Sequence, residues 1–136
     1  MKYRQKVQTI VCFVALHWIV LGCSKSGSDP EPLPEENLVI STNASPLNIS
    51  VGPDFTVALS VDSKMPADGV RIEYDVKGES DGQVYPQGPA IETKATKTNI
   101  ILQSLPRQKV CIGTIRVISK TKSTNRATVD LRVVYK

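Results

Sequence analysis

Residues 70–77 read VRIEYDVK, and every second side chain in them is apolar. Val70, Ile72, Tyr74 and Val76 alternate with Arg71, Glu73, Asp75 and Lys77, a period of two that fits a strand with one wet face and no helix. The pattern recurs on either side. FTVALSVD (55–62) sets Phe55, Val57, Leu59 and Val61 against Thr56, Ala58, Ser60 and Asp62. Ala127 to Tyr135 sets Val129, Leu131 and Val133 against Thr128, Asp130 and Arg132. Turn residues break the runs at short intervals, with ESDGQ (79–83) and KTKSTNR (120–126) the clearest, and no stretch has helical spacing. Strands are expected near 38–43, 47–51, 55–62, 70–77, 83–86, 97–104, 110–119 and 126–135. VYPQGPAIE (84–92), with two prolines that cannot donate to a ladder, is expected as an irregular edge. The pattern specifies an all-β, antiparallel sandwich of about seven strands.

The order of these strands resembles the immunoglobulin/fibronectin type III sandwich, and TNIILQSLPRQKVCIGTIRVIS (98–119) carries most of the likeness. Ile100, Leu102 and Leu105 have the spacing of strand E and its exit. Leu105-Pro106 then leads, six residues beyond Leu105, to Cys111, where fibronectin type III domains carry the tyrosine of the corner motif. Gly113, Ile115 and Val117 continue strand F. The chain departs from both families in having no cysteine pair in the domain, no tryptophan there, and Cys111 in place of the corner tyrosine. The resemblance covers residues 38–136, implies an architecture, and leaves function to the site.

The N-terminal third has a different grammar. Lys2, Arg4 and Lys6 precede an apolar run from Ile10 to Gly22, 13 residues long. A spanning helix needs about 20 apolar residues for some 30 Å of hydrocarbon, so residues 1–22 read as a secretory signal peptide. The run ends in VLGC (20–23), which resembles the lipobox of bacterial lipoproteins. That resemblance implies a diacylglyceryl group on the Cys23 sulfur and cleavage just before it; the alternative is an ordinary signal with a chance cysteine nearby. Residues 23–37, SKSGSDPEPLPEEN after Cys23, bury too little to fold and read as a disordered tether. Extended at about 3.1 Å per residue, its last 14 residues span roughly 40 Å. Acids soon after Cys23 look like the surface-export tags of Bacteroidota-type lipoproteins, although Lys25 interrupts them. The expected location is the outer membrane of a bacterial envelope, with the domain facing either the cell surface or the periplasm.

Processing changes the charge argument. The whole chain is +4, but three positive charges lie in residues 2–6, so the mature chain is near neutral and its basic character is no argument for nucleic acid. Only Cys111 would remain as a free thiol, so no disulfide within the mature chain is expected. Charge is nevertheless segregated: residues 23–92 hold 4 basic and 12 acidic side chains, residues 93–136 hold 10 basic and one acidic. Arg116, Lys120, Lys122, Arg126 and Arg132 form the candidate binding patch, for an envelope or surface protein or an anionic glycan. The competing reading is that the two halves neutralise each other within the fold. Tyr85 is the one aromatic side chain left for sugar stacking, since Phe55, Tyr74 and Tyr135 are expected inward. No metal is expected, because Asp54, Glu79 and Asp81 lack the dense oxygen spacing of a calcium loop. The mature chain has no histidine, no nucleophile elbow and no phosphate loop, so no enzyme and no cofactor other than the lipid is expected.

Overall fold

The computed structural model describes residues 33–136. Its folded unit, Pro34–Lys136, is all-β. The strands are β1 (Ile40–Thr42), β2 (Leu47–Ser50), β3 (Phe55–Val61), β4 (Val70–Gly78), β5 (Val84–Tyr85), β6 (Ile91–Thr93), β7 (Lys97–Leu102), β8 (Val110–Ser119) and β9 (Arg126–Tyr135). One sheet has the order β1-β3-β7; the other runs β2-β9-β8-β4-β5, with β6 pairing the same edge of β4 as β5. Every ladder is antiparallel except β2–β9. This is an immunoglobulin-like β-sandwich, with β4, β8 and β9 as strands C, F and G facing β3 and β7 as strands B and E.

The alternation places the core as the sequence specifies. Val57, Leu59, Val61, Val70, Ile72, Val76, Ile100, Leu102, Leu105, Cys111, Ile115, Val117, Leu131 and Val133 are all buried between the sheets. Burying an aliphatic side chain contributes about 1.5–3 kcal/mol against the chain entropy, so this layer is what holds two sheets together without a disulfide. Cys111 lies on the core side of β8 with no exposed surface. It fills its place as a small apolar side chain, and burial pushes its thiol pKa up.

Two expectations are refined. The 84–92 segment, expected to be irregular, contains two short strands split by Pro86, Gly88 and Pro89: β5 pairs Tyr85 with Val76, and β6 pairs Ile91 with Ile72. The first strand is shorter than 38–43 because Leu38 donates its N–H to the Asn125 side chain at 2.9 Å instead of joining a ladder. The expected signal peptide, the candidate lipidation site Cys23 and most of the expected tether lie outside the described residues. Of the residues expected as tether, Glu35 and Glu36 bond to the sandwich.

Candidate binding surfaces

The turn between β8 and β9 builds one pole of the domain. Asn125, buried at its end, bonds a segment nearly ninety residues earlier. Its Oδ1 accepts from Leu38 N–H, and its Nδ2 donates to Glu35 Oε1 at 2.5 Å and to the Glu36 carbonyl at 2.8 Å. Ser119 Oγ donates to the other Glu35 carboxylate oxygen at 3.1 Å while accepting from the N–H groups of Thr121 and Lys122. The β3–β4 loop closes the same pole: Asp68 N–H donates to Thr121 Oγ1, and Lys120 N–H to the carbonyl of Gly69, a residue at φ 81°. The 120–126 turn therefore sits against the loop that holds Asp62 and Asp68, as its place in the fold requires, and the chain enters the domain here.

The five candidate cations do not form one cluster. Arg126, Arg116 and Arg132 lie along the outer face of the β8–β9 ladder, where Arg126 stands opposite Ile118 and Arg132 opposite Ile112. Six residues of strand separate Arg126 from Arg132, or about 20 Å. Three of the five have acidic partners. Arg116 bonds Asp75 at 2.6 Å and lies 3.9 Å from Glu73, Lys120 meets Glu92 at 2.5 Å, and Arg132 meets Glu79 at 2.7 Å. Glu73 also holds Arg71 at 3.0 Å. The Lys120 hydrogen bond holds the Glu92 carboxyl below its ordinary range. Lys122 and Arg126 are exposed and carry no ion pair among the described residues. The reading in which the acidic and basic halves complement each other thus accounts for most of the patch.

Tyr85 is half-buried and packed against the core, because its register partner Val76 faces inward. Its hydroxyl accepts from Lys109 Nζ at 3.1 Å and donates to Gln83 at 3.3 Å, and the Lys109 ammonium lies 5.8 Å from the ring centroid. Lys109 also bonds Asp81, holding that carboxyl below its usual value and its own ammonium above. A ring so occupied offers little free face for a sugar. Among the described residues, no cluster of His, Cys, Asp and Glu has the arrangement of a metal site.

A surface that composition and charge did not single out lies on β2. Leu47, Ile49 and Val51 are 47%, 56% and 97% exposed, while Asn48 and Ser50 between them are buried. Register carries the apolar surface across the outer face: Ile49 lies beside Val134 and Val134 beside Val110, all near the pole away from Asn125. The signal was the alternation in LNISV (47–51), legible as a strand; which face water would see depended on β2 pairing with β9. Searches of protein-family models and of curated proteins return no match for this chain.

Proposed function

We propose that this chain is a lipid-anchored lipoprotein of the bacterial outer membrane whose sandwich is a non-catalytic protein-binding or structural module. Its anchor would be a diacylglyceryl group on Cys23, two chains being what stable attachment requires. The observation that carries the binding part is the polarity of the domain. The chain enters at the Asn125 pole, whereas the exposed Leu47, Ile49 and Val51 gather toward the other. Contiguous exposed apolar surface on a small domain is the usual mark of a protein contact. A glycan-binding reading is weakened by the engagement of Tyr85 with Lys109 and the core.

The test has two arms. Mass spectrometry of the processed chain is expected to find residue 23 at its N-terminus with the added lipid mass, and Cys23→Ala is expected to move the protein from the membrane to the soluble fraction. Protease treatment of intact cells, with lysed cells as control, then reports which side the domain faces. An unmodified mature N-terminus elsewhere in the chain would sink the anchor, and turnover of a substrate by the purified protein would sink the non-catalytic assignment.

A further inference from the structure

The two short strands on the edge of β4 do not share one register. β5 sets Tyr85 opposite Val76, and β6 sets Ile91 opposite Ile72. Three residues of β4, 73–75, therefore face five of the other chain, 86–90, which makes a two-residue bulge. The prolines account for it locally. Gly78 N–H donates to the Gln83 carbonyl on this edge, and main-chain groups of alternate residues face the same way, so those of Tyr74 face the bulge. The β6 register continued would set Pro89 opposite Tyr74, with no N–H to give. A bulge bends its strand and re-aims a side chain. Here that side chain is Gln87.

Gln87 reaches from one sheet to the other. Its Oε1 accepts from Gln103 N–H and its Nε2 donates to the Gln103 carbonyl, both at 2.8 Å. Nε2 also donates to the Tyr85 carbonyl at 3.1 Å, at the root of the bulge. A primary amide has the donor and acceptor of a peptide group, so Gln103 is paired as if by a strand one residue long. Next to Gln87, a Cβ added at Gly88 would stand 2.9 Å from the Tyr74 hydroxyl, so the chain passes close over that half-buried ring. The pairing falls on the open edge of β7. Val61 N–H donates to the Thr96 carbonyl on the β3 side, and alternation then turns Lys97, Asn99, Ile101 and Gln103 outward. Among the described residues, Gln103 is the one of these four whose outward groups are capped.

We propose that residues 86–90 are a latch. Through Gln87 they tie the two sheets at a flank that no ladder crosses, and they withhold the end of the β7 edge from strand addition by a second chain. The outward run that is left is short and starts at Lys97; short edges and lysine are further devices against such pairing. Opening the latch would lengthen the run to include Gln103, next but one to the exposed Ile101. The device belongs to the fold and does not depend on the lipid anchor.

The full chain in nonionic detergent micelles is followed by residue-resolved amide hydrogen exchange and by sedimentation velocity. In the parent, the Gln103 amide is expected to exchange about tenfold or more slowly than those of Asn99 and Ile101, after correction for intrinsic rates. Equal rates would overturn the latch without any variant. Gln87→Ala is expected to speed Gln103 about tenfold or more while leaving Leu102, whose N–H faces β3, nearly unchanged. Gln83→Ala removes a side chain of the same hairpin that meets only the Tyr85 hydroxyl, and is expected to leave Gln103 as in the parent. Unchanged exchange at Gln103 in Gln87→Ala, or equal acceleration of Gln103 and Leu102, would overturn the latch, the second because the whole fold would then be loosened. Gln87→Ala is also expected to form a concentration-dependent dimer in which Asn99 and Ile101 gain protection. A variant that frees Gln103 and stays as monomeric as the parent would overturn the guarding of the edge.

Discussion

Replacing Asn125 by alanine tests whether the chain's entry point is part of the fold. The side chain accepts one hydrogen bond, from Leu38 N–H, and donates two, to the Glu35 carboxylate and the Glu36 carbonyl. Neutral bonds contribute about 0.5–1.5 kcal/mol each and bonds to a charged group about 1.5–3. Their sum is an upper limit, since water can reach part of this site once the amide is gone. Buried Leu38 is the other half of the attachment: if the segment lifts away, its side chain leaves the core as well. A loss of about 3 kcal/mol is therefore expected, which for a domain near 100 residues lowers Tm by roughly 12–24 °C. Asn125→Asp at neutral pH is expected to cost at least as much, because it replaces the donor facing Glu35 with a second carboxylate. Thermal unfolding by circular dichroism gives the magnitude, and limited proteolysis shows whether residues 34–39 become cleavable. A Tm drop of under about 3 °C, or continued protection of that segment in Asn125→Ala, would refute the reasoning.

Three further outcomes follow from particular contacts. Cys111 has no exposed surface and a raised thiol pKa, so its maleimide labelling in the native protein is expected to proceed only as fast as global unfolding; rapid labelling without denaturant would contradict its burial. Gly113→Ala would place a Cβ 2.7 Å from Leu102 Cδ1. Since Leu102 is itself buried, the expected loss is about 1–3 kcal/mol by urea titration, and an unchanged midpoint would show that the two sheets part more easily than the packing implies. The carboxyls of Asp81 and Glu92 are held low by Lys109 and Lys120. Their contribution is present above the ordinary carboxylate pKa and fades as pH falls through the lowered folded values. Both groups are exposed, so the effect is small: the urea midpoint of Asp81→Asn/Glu92→Gln should fall less steeply on acidification than that of the parent, and a steeper fall would reverse the sign.

Strand positions were legible because alternation is a local property. The inward residues of VRIEYDVK and FTVALSVD are the residues found in the core, with Phe55 and Tyr74 half-buried at its margin. β6 was hidden by its surroundings: between Pro89 and Ala95, three residues carry too little pattern to outweigh the prolines. The site was less legible because it depends on long-range partners. Nothing near Asn125 in sequence indicates Leu38, and no feature of Lys109 indicates that it would occupy Tyr85. The outward side of LNISV has meaning only once β2 stands at an edge beside β9.

The uneven distribution of charge finds its explanation in the ladders. Among the described residues, four of the five cations found in ion pairs come from the basic C-terminal stretch, and each pairs with an acid from the earlier, acidic one: Lys109 with Asp81, Arg116 with Asp75, Lys120 with Glu92 and Arg132 with Glu79. The exception, Arg71–Glu73, is local to β4. Arg116 stands directly opposite Glu73 in the β4–β8 register, and a one-residue slip would move every inward side chain of β8 to the solvent. Exposed pairs of this kind contribute about 0–1 kcal/mol each, too little to hold the sandwich together. Glu73 and Asp75 of β4 face Arg116 of β8, and the acids around β4 and β6 meet bases on and beside β8 and β9. The charge segregated along the sequence is thus largely matched across the fold, while the outward residues of β2 are uncharged.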